Sequence, residues 1–522
     1  MNNLPLIIIA IPFLAALGML FLPRREKDLA QQVAMLATGA TALLAIALFL
    51  KFETGVPGFQ FESKFPFAQA LGIWFHFGVD GVNVGLILMG AIVGFAATCV
   101  SFDEIQDRQK EFYILLLVMI GGILGSFASM DIFMFFFFHE FALVPTFVMI
   151  GVWGRGVDKN YATFKITLYL VVGSMISLAG LIALYLQAPE PRTFNMVELA
   201  RIFRENPIAF GQQNLIFPLL MFGFGILVSL WPFHTWAPLG YGSAPTATAM
   251  MHAGVIKKFG LYGLIRIAVP MCPDGAQNWL PVLAFLCLGN ILYCGFVAMK
   301  QKDLNLLIGN SSVAHMGFVF LGIASLTLIG VTGAVLVMVA HGLLAALTFG
   351  LSGYLYGQTK TLDMDKMGGY LNQLPFIGAA MVMAMMAGCG LPGFANFAGE
   401  AMVFFGAWKA FPFVTVLSVW GALVIGAVYM LRAIRNILHG EENADNKVSL
   451  SDAADWRKRA PFALLLATLL VFGFAPRLLT SKIQPSAKAI VDAANGIETR
   501  LVEVAQLDAP AKGAESDLND VE

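Results

Sequence analysis

Five ionisable side chains stand inside long apolar stretches of this sequence. They are Glu140, Lys258, His315, His341 and Glu400. A charge in hydrocarbon is costly, so ionisable residues within membrane segments usually face protein or water and mark ion pathways. Carboxylates, buried lysines and histidines can take up and release protons when burial and nearby charges balance their two protonation states. The set therefore predicts proton transfer through the interior of a membrane protein.

Four further side chains could assist this transfer, namely Lys257, His252, His234 and Lys165. Lys257 is adjacent to Lys258, and neighbouring residues of a helix point in different directions. One of the two ammonium groups is expected to face the protein axis, while the other could extend toward water. A single histidine such as His252 is more often a packing residue. It becomes a candidate because it accompanies buried charges.

Other chemistries find no support in the sequence. No two of the candidate ligands His252, His315 and His341 share a helix at i, i+4 spacing, which argues against a metal site. The five cysteines form no CxxC pair, so their spacing suggests no iron–sulfur, haem or zinc motif. A Walker A sequence and a GxGxxG turn after a strand are both missing. The formal net charge of −1 gives no electrostatic reason for nucleic-acid binding.

The composition is typical of a membrane protein, since 58% of the 522 residues are hydrophobic and only 12% are charged. A helix that spans a bilayer needs about 20 apolar residues, and runs of this kind predict about fourteen such helices. The predicted fold class is therefore an all-α polytopic membrane protein. Arg24 and Arg25 follow the first apolar run instead of preceding it, which indicates a retained transmembrane helix and not a signal peptide.

The distribution of Lys and Arg orients these helices, because cytoplasmic loops carry the excess of both. If the N-terminus lies outside the cytoplasm, the loops near Arg155, Lys300 and Arg457 fall on the cytoplasmic side. An even number of helices then places the C-terminus outside the cytoplasm as well. The expected location is a bacterial plasma membrane.

Two predicted helices, the seventh and the twelfth, are interrupted near Pro232 and Pro392. Paired interruptions of this kind point to inverted repeats with a transport site at the breaks, here two repeats of five helices. A polar acidic tail follows the membrane region and is expected to begin as a short amphipathic helix. The predicted domains are helices one to three in 1–110, the first repeat in 111–270, the second repeat in 271–440, a loop and the last helix in 441–485, and the tail in 486–522.

Several segments resemble the antiporter-like membrane subunits of respiratory complex I, and most of all the chain M group, the bacterial counterpart of mitochondrial chain 4. They are FFFHEFALVPTFVMIGVWG, PFHTWAPLGYGSAPTATAMMHAGVIKKFGLYGLIR, NSSVAHMGFV, AHGLLAALTFG and LPGFANFAGE. The resemblance runs in order from about the fourth to the thirteenth helix. It implies a fold of fourteen helices with two inverted repeats, and a function in moving protons that is driven by quinone reduction elsewhere in the complex.

The resemblance also implies roles for individual residues. Glu140 matches the family's glutamate on helix five, and Lys258 matches its central lysine on helix eight, four residues before the Tyr of a YG pair. His315 and His341 match polar residues that link two half-channels. Glu400 matches the terminal glutamate on helix twelve, where chain L has lysine, and so favours the chain M group.

One position departs from the family pattern. The family has a lysine on helix seven, seven residues before the His of an H-x-W motif, and this lysine pairs with the helix-five glutamate. Here that histidine is His234 and the position holds Leu227. Glu140 thus lacks its usual partner, and either Lys257 takes over or the first half-channel works differently. His252 also departs from the chain M pattern and resembles chain L.

The resemblance implies a proton-translocating membrane-arm subunit of NADH–quinone oxidoreductase, adjacent to the antiporter-like chains L and N. The complex as a whole is expected to use NADH, FMN, iron–sulfur clusters and quinone, with none of them bound by this chain. Two alternatives stay open from the residues. One is a subunit of a cation/proton antiporter or membrane-bound hydrogenase, and the other is a structural subunit that no longer pumps.

Overall fold

The computed structural model of this protein describes residues 3–23, 27–56, 58–440 and 450–496. Arg24, Arg25 and the last part of the predicted tail lie outside these ranges. Within them the chain is almost entirely helical. A bilayer favours this, because hydrocarbon offers no partner for backbone N–H and C=O groups and a helix satisfies them internally.

Helices and one β-hairpin make up the described chain. In chain order the first half consists of α1 (Leu4–Leu20), α2 (Lys27–Lys51), β1 (Gln60–Ala68), β2 (Ile73–Val79), α3 (Val84–Glu104), α4 (Gln109–Ala128), α5 (Ile132–Trp153), α6 (Lys159–Leu186), α7 (Met196–Glu205), α8 (Phe210–Val228), α9 (Trp236–Ser243), α10 (Thr246–Met251), α11 (Lys258–Gly263) and α12 (Val269–Met271). The second half consists of α13 (Pro273–Leu288), α14 (Cys294–Lys300), α15 (Leu304–Ala324), α16 (Leu328–Thr359), α17 (Tyr370–Gln373), α18 (Pro375–Gly388), α19 (Ala395–Trp408), α20 (Pro412–Trp420), α21 (Ala427–Leu438), α22 (Trp456–Phe474) and α23 (Arg477–Ala494).

Ten helical segments of the described ranges are long and apolar enough to cross a membrane, and eleven if the bent pair α22 and α23 counts as one span. Two shorter apolar helices, α1 and α18, add to these. The interrupted segment formed by α10, α11 and α12 completes a set of about fourteen crossings. The predicted fold class, an all-α polytopic membrane protein, is therefore confirmed.

Both predicted interruptions are present. Between α8 and α9 the chain leaves the helix at Ser229, whose φ of 78° lies in the left-handed region that serine rarely adopts. Between α18 and α19 lie Gly390 and Gly393, with φ values of 69° and 104° that glycine adopts without steric cost. Each break leaves backbone groups without helical partners in the middle of the protein, where polar side chains can use them.

The helix that carries the two lysines is interrupted in a different way. A π-helical turn, His252–Ile256, lies between α10 and α11, and a second one, Leu264–Ala268, lies between α11 and α12. Such turns add a residue to the helical repeat and frequently occur at functional sites. Because the first turn ends directly before Lys257, it determines the directions in which Lys257 and Lys258 point.

The antiparallel hairpin of β1 and β2 was not predicted from the sequence. Its register pairs Lys64 with His76 and Pro66 with Trp74. The hairpin touches the loop between α4 and α5, where the N–H of Met130 donates to the carbonyl oxygen of His76 at 2.8 Å. It therefore covers one end of the helices, which we call the hairpin face.

The polar C-terminal segment also packs on the hairpin face. Helix α23 is bent by 69° from α22 and begins at Arg477, before the short amphipathic helix predicted from about residue 486. Its apolar side chains Leu479 and Ile483 are buried. Lys482 donates to the carbonyl oxygen of Phe52, just after α2, at 2.8 Å. Residues 497–522 of the predicted tail lie outside the described ranges.

Asp131 joins the hairpin to α5 and gives a testable prediction. Its carboxylate accepts from the N–H groups of Phe133 and Met134 at 2.9 and 3.1 Å, which caps α5, and from the N–H of Trp74 at 3.1 Å. Loss of a helix cap costs about 1 kcal/mol. We expect Asp131→Ala to lower the free energy of unfolding of the purified protein by about that amount in thermal unfolding.

Asp158→Ala is the matched control for this measurement. Asp158 precedes α6 in the same way, yet its side chain makes no capping hydrogen bond. An equal loss of stability in both variants would contradict the capping role of Asp131.

Candidate functional site

Lys258 begins α11, is separated from the first π-helical turn by Lys257 alone, and is fully buried. Its Nζ donates to the carbonyl oxygen of Ala253 at 2.8 Å and lies 3.0 Å from Nδ1 of His341 on α16. Because an ammonium group has only donors, Nδ1 accepts this bond and a neutral His341 carries its proton on Nε2. A proton can pass along this bond from the lysine to the histidine.

The row continues from His341 through His315 to Glu400. The two imidazole rings, on α16 and α15, have centroids 5.4 Å apart. Nε2 of His315 lies 3.7 Å from Oε1 of Glu400 on α19. All of these side chains are buried. The structure therefore brings Lys258, His341, His315 and Glu400, four of the five predicted residues, into one row.

Both ring nitrogens of His315 face backbone carbonyl groups. Nδ1 lies 2.8 Å from the oxygen of Ser311, and Nε2 lies 3.2 Å from the oxygen of Gly388. Since carbonyl oxygens only accept, a ring that bonds to both carries two protons and a positive charge. Gly388 is the last residue of α18, and the C-terminal end of a helix favours a cation. The break therefore suits an imidazolium that can pass its proton toward Glu400.

A cavity of about 10 Å³ lies between these groups, lined by His315, Glu400, Gly388 and Tyr429 among others. Space of this size is enough for about one water molecule. Oε1 of Glu400 has no hydrogen-bond partner among the described residues, so it is free to accept a proton. The described ranges contain no group of three or more His, Cys, Asp and Glu side chains that could hold a metal ion.

Glu140 stands apart from this row. Its Oε1 accepts from Oγ of Ser174 on α6 at 2.9 Å and lies 3.6 Å from Nδ1 of His139. About a third of its side chain, 34%, is exposed in the single chain. Leu227 packs beside this site, against Gly173, which precedes Ser174 in the sequence. A Cβ atom built on Gly173 would lie 3.1 Å from Cδ2 of Leu227. Position 227, where the family has a lysine, therefore lies next to the turn of α6 whose Ser174 binds Glu140.

Lys257 bonds to α15 instead of α5. Its Nζ donates to the carbonyl oxygen of Ser312 at 3.1 Å and to Oγ of the same residue at 2.6 Å. The ring of Tyr241 lies 5.6 Å from this ammonium group. The structure thus gives no support to the hypothesis that Lys257 replaces the missing lysine as the partner of Glu140. Its buried ammonium group lies next to the helix that carries His315.

The remaining auxiliary candidates are His252, His234 and Lys165. His252 is buried with its ring centroid 5.5 Å from that of Tyr241, and His234 packs edge-on against Tyr293 at 5.6 Å. Lys165 is half-buried on α6. These contacts are compatible with packing and with an auxiliary role alike, so the proton-transfer roles of these three residues stay predictions.

Several contributors to the site were not predicted, namely Ser174, Ser311, Ser312 and the carbonyl groups of Ala253 and Gly388. Ser311 stands four residues before His315, and that spacing places both on one face of α15. This local signal could have identified it. Ser174 and Gly388 act across helices that are distant in the sequence, so no spacing rule reveals them.

Comparison with known proteins gives the family. Residues 129–426 match the family described as NADH:quinone oxidoreductase/Mrp antiporter, TM. NADH-quinone oxidoreductase subunit M of Rhodobacter capsulatus is 32% identical over 502 residues, which cover 94% of this chain and 97% of that protein. NAD(P)H-quinone oxidoreductase chain 4 of Gloeobacter violaceus is 34% identical over 488 residues, which cover 92% of this chain and 91% of the relative.

Solved structures give the same picture. A chain of respiratory complex I from Thermus thermophilus with bound NADH matches with a TM-score of 0.84 at 28% identity, covering 95% of this chain and 100% of that chain. A chain of the Mrp complex from Dietzia sp. matches with a TM-score of 0.82 at 19% identity, covering 96% of this chain and 99% of that one, which concerns the fold alone. The resemblance noted in the sequence is confirmed, and this chain belongs to the NADH:quinone oxidoreductase/Mrp antiporter family of membrane proteins.

Proposed function

We propose that this protein is a proton-translocating subunit of the membrane arm of an NADH–quinone oxidoreductase. One observation carries the proposal, namely the buried row Lys258, His341, His315 and Glu400, with a hydrogen bond of 3.0 Å at its start and a gap of 3.7 Å at its end. Groups that exchange protons are rarely buried inside membrane helices without such a role. The similarity to subunit M and chain 4 proteins over nine-tenths of the chain supports the link to quinone reduction.

The distances suggest an order of transfer. Protons enter from the cytoplasm near the broken helices, rest on Lys258, pass through His341 and then His315, and leave by way of Glu400. In each transfer an N–H bond breaks and a new N–H or O–H bond forms, with no electrons exchanged. Glu140, which lies outside the row, acts electrostatically on the charge of Lys258.

The surroundings of this chain follow from the same proposal. Its partners are the antiporter-like chains L and N of the membrane arm. NADH, FMN, iron–sulfur clusters and quinone are bound by other subunits and supply the driving reaction. The chain lies in a bacterial plasma membrane with both termini outside the cytoplasm, so the hairpin face also lies outside. A subunit of a cation/proton antiporter shares the fold, but the two relatives described above, at 32% and 34% identity, are quinone oxidoreductase subunits.

Glu400→Gln tests the proposed function. The amide keeps the shape of the side chain but cannot take up a proton at physiological pH, and loss of a proton-transfer group typically slows a reaction by at least 100-fold. We expect proton translocation to fall by about that factor, because Glu400 is the last carrier of the row. The measurement is the rate of dye-monitored acidification of proteoliposomes that contain the complex and oxidise NADH.

Glu104→Gln is the matched control. Glu104 lies at the end of α3 and accepts from the N–H of Thr246 at 3.1 Å, so the substitution removes a carboxylate outside the row. We expect this variant to pump like the unaltered complex. Undiminished pumping by Glu400→Gln would contradict the proposed function.

A further inference from the structure

Tyr429 is a buried tyrosine on α21, a helix that contributes none of the predicted proton carriers. Its hydroxyl group donates to Oγ of Ser311 on α15 at 3.1 Å. Its side chain also lines the cavity between His315 and Glu400. A tyrosine that reaches such a place from a separate helix links α21 to the end of the proton row.

Ser311 connects this tyrosine to His315. Its carbonyl oxygen lies 2.8 Å from Nδ1 of His315, and its Oγ lies 3.4 Å from the same nitrogen. A serine hydroxyl group has one donor and two acceptor positions, so Oγ can accept from Tyr429 and still interact with the imidazole. Ser311 thus holds the Nδ1 side of the ring, while Tyr429 holds Ser311.

These contacts fix the direction of the second ring nitrogen of His315, Nε2. With Nδ1 bound on one side, Nε2 is directed toward the cavity, Gly388 and Glu400. Which nitrogen of a histidine carries the reactive proton is set by the hydrogen bond of the other nitrogen. Rotation about the side-chain bonds of His315 would move Nε2 away from the carboxylate of Glu400 and interrupt the last transfer.

We propose that Tyr429 and Ser311 form a positioning pair that holds the imidazole of His315 with Nε2 facing Glu400 across the cavity. The inference rests on the proposed function and adds two residues to it. In the step that the pair supports, the N–H bond at Nε2 breaks and an O–H bond forms on Glu400. Tyr429 and Ser311 keep their own protons throughout.

Tyr429→Phe in the assembled complex is the direct test, because it removes the hydroxyl group and keeps the ring. Loss of one hydrogen bond of ordinary strength corresponds to about five-fold. We expect turnover of NADH coupled to quinone to fall by about that factor. The solvent deuterium isotope effect on turnover is expected to rise, since proton transfer becomes slower than the other steps.

Tyr113→Phe is the matched control. Tyr113 on α4 is fully buried, and its hydroxyl oxygen accepts from Oγ of Ser101 at 3.2 Å, so it forms the same kind of tyrosine–serine pair away from the row. A hydroxyl group with only a structural role affects assembly but leaves the isotope effect unchanged. An isotope effect that is the same in Tyr429→Phe, Tyr113→Phe and the unaltered complex would overturn the proposal.

Variants of Ser311 test the positioning role independently, in case the complex with Tyr429→Phe does not assemble. Ser311→Thr keeps a hydroxyl group and is expected to retain most of the coupled turnover, whereas Ser311→Ala is expected to show the five-fold loss and the raised isotope effect. Equal behaviour of the two variants would contradict the positioning role. Glu400→Gln, measured in parallel, separates the two proposals. Normal pumping by Glu400→Gln would contradict the proposed function. Loss of pumping in Glu400→Gln, with normal turnover in Tyr429→Phe and Ser311→Ala, would contradict the positioning pair alone.

Discussion

Lys258→Met is expected to slow proton translocation by the assembled complex by about 100-fold or more, the contribution that a positioned proton-transfer group typically makes. The substitution keeps a long flexible side chain but removes the group that donates to Ala253 and His341. Methionine has a similar volume and does not carry the cost of burying a charge, so we expect the complex to assemble. Coupled NADH oxidation should fall together with pumping, while NADH oxidation with an artificial electron acceptor should persist.

Lys257→Met provides the comparison, because it removes an equally buried ammonium group from the adjacent residue. Both hydrogen bonds described above for Nζ of Lys257 go to Ser312. We expect a much smaller loss of pumping than in Lys258→Met, with the bond between Lys258 and His341 intact. A larger loss in Lys257→Met than in Lys258→Met would show that the wrong lysine has been assigned to the row.

The choice between these lysines marks the limit of what the sequence could predict. Their position near the middle of a spanning segment follows from hydropathy and helix length. The direction of each side chain depends on the π-helical turn His252–Ile256, which shifts the helical repeat and has no reliable sequence signal. Only the resemblance favoured Lys258, and the structure adds the bond to His341 as the physical reason.

The fold was predictable where a single physical rule governs it. Apolar runs of the right length gave the number of crossings, and glycine and proline gave both helix breaks. The hairpin of β1 and β2 was missed because β1 contains Pro66, which weakens the signal of a strand. The early start of α23 was missed because its apolar side chains pack on distant helices, and such contacts do not appear in local patterns.

The first half of the protein poses the remaining question. Glu140 has a hydroxyl partner in Ser174 and a histidine at 3.6 Å, in place of the lysine that the family pattern provides. Its side chain is 34% exposed in the single chain, at a site among apolar membrane helices. A carboxylate in that setting needs a polar or cationic partner, which a neighbouring subunit of the membrane arm can supply. Under this interpretation the chain pumps without a lysine at position 227.

Leu227→Lys returns a cation to that position and is expected to be tolerated only while Glu140 is present. Leu227 is buried and packs against Gly173, next to the serine that binds Glu140. A lysine there can pair with the carboxylate. Breaking a buried pair by removing one partner typically costs 3–5 kcal/mol, so we expect the double variant Leu227→Lys with Glu140→Gln to be less stable than Leu227→Lys by about this amount.

Thermal unfolding of the four proteins of this cycle gives the coupling between the two positions. If the lysine and Glu140 do not interact, the two substitutions will be additive, which would contradict the placement of position 227 beside Glu140. The number of protons moved per NADH by Leu227→Lys addresses the function of the chain itself. We expect that number to be unchanged, because the row from Lys258 to Glu400 is already complete, whereas a rise would identify the unaltered chain as a structural subunit that does not pump.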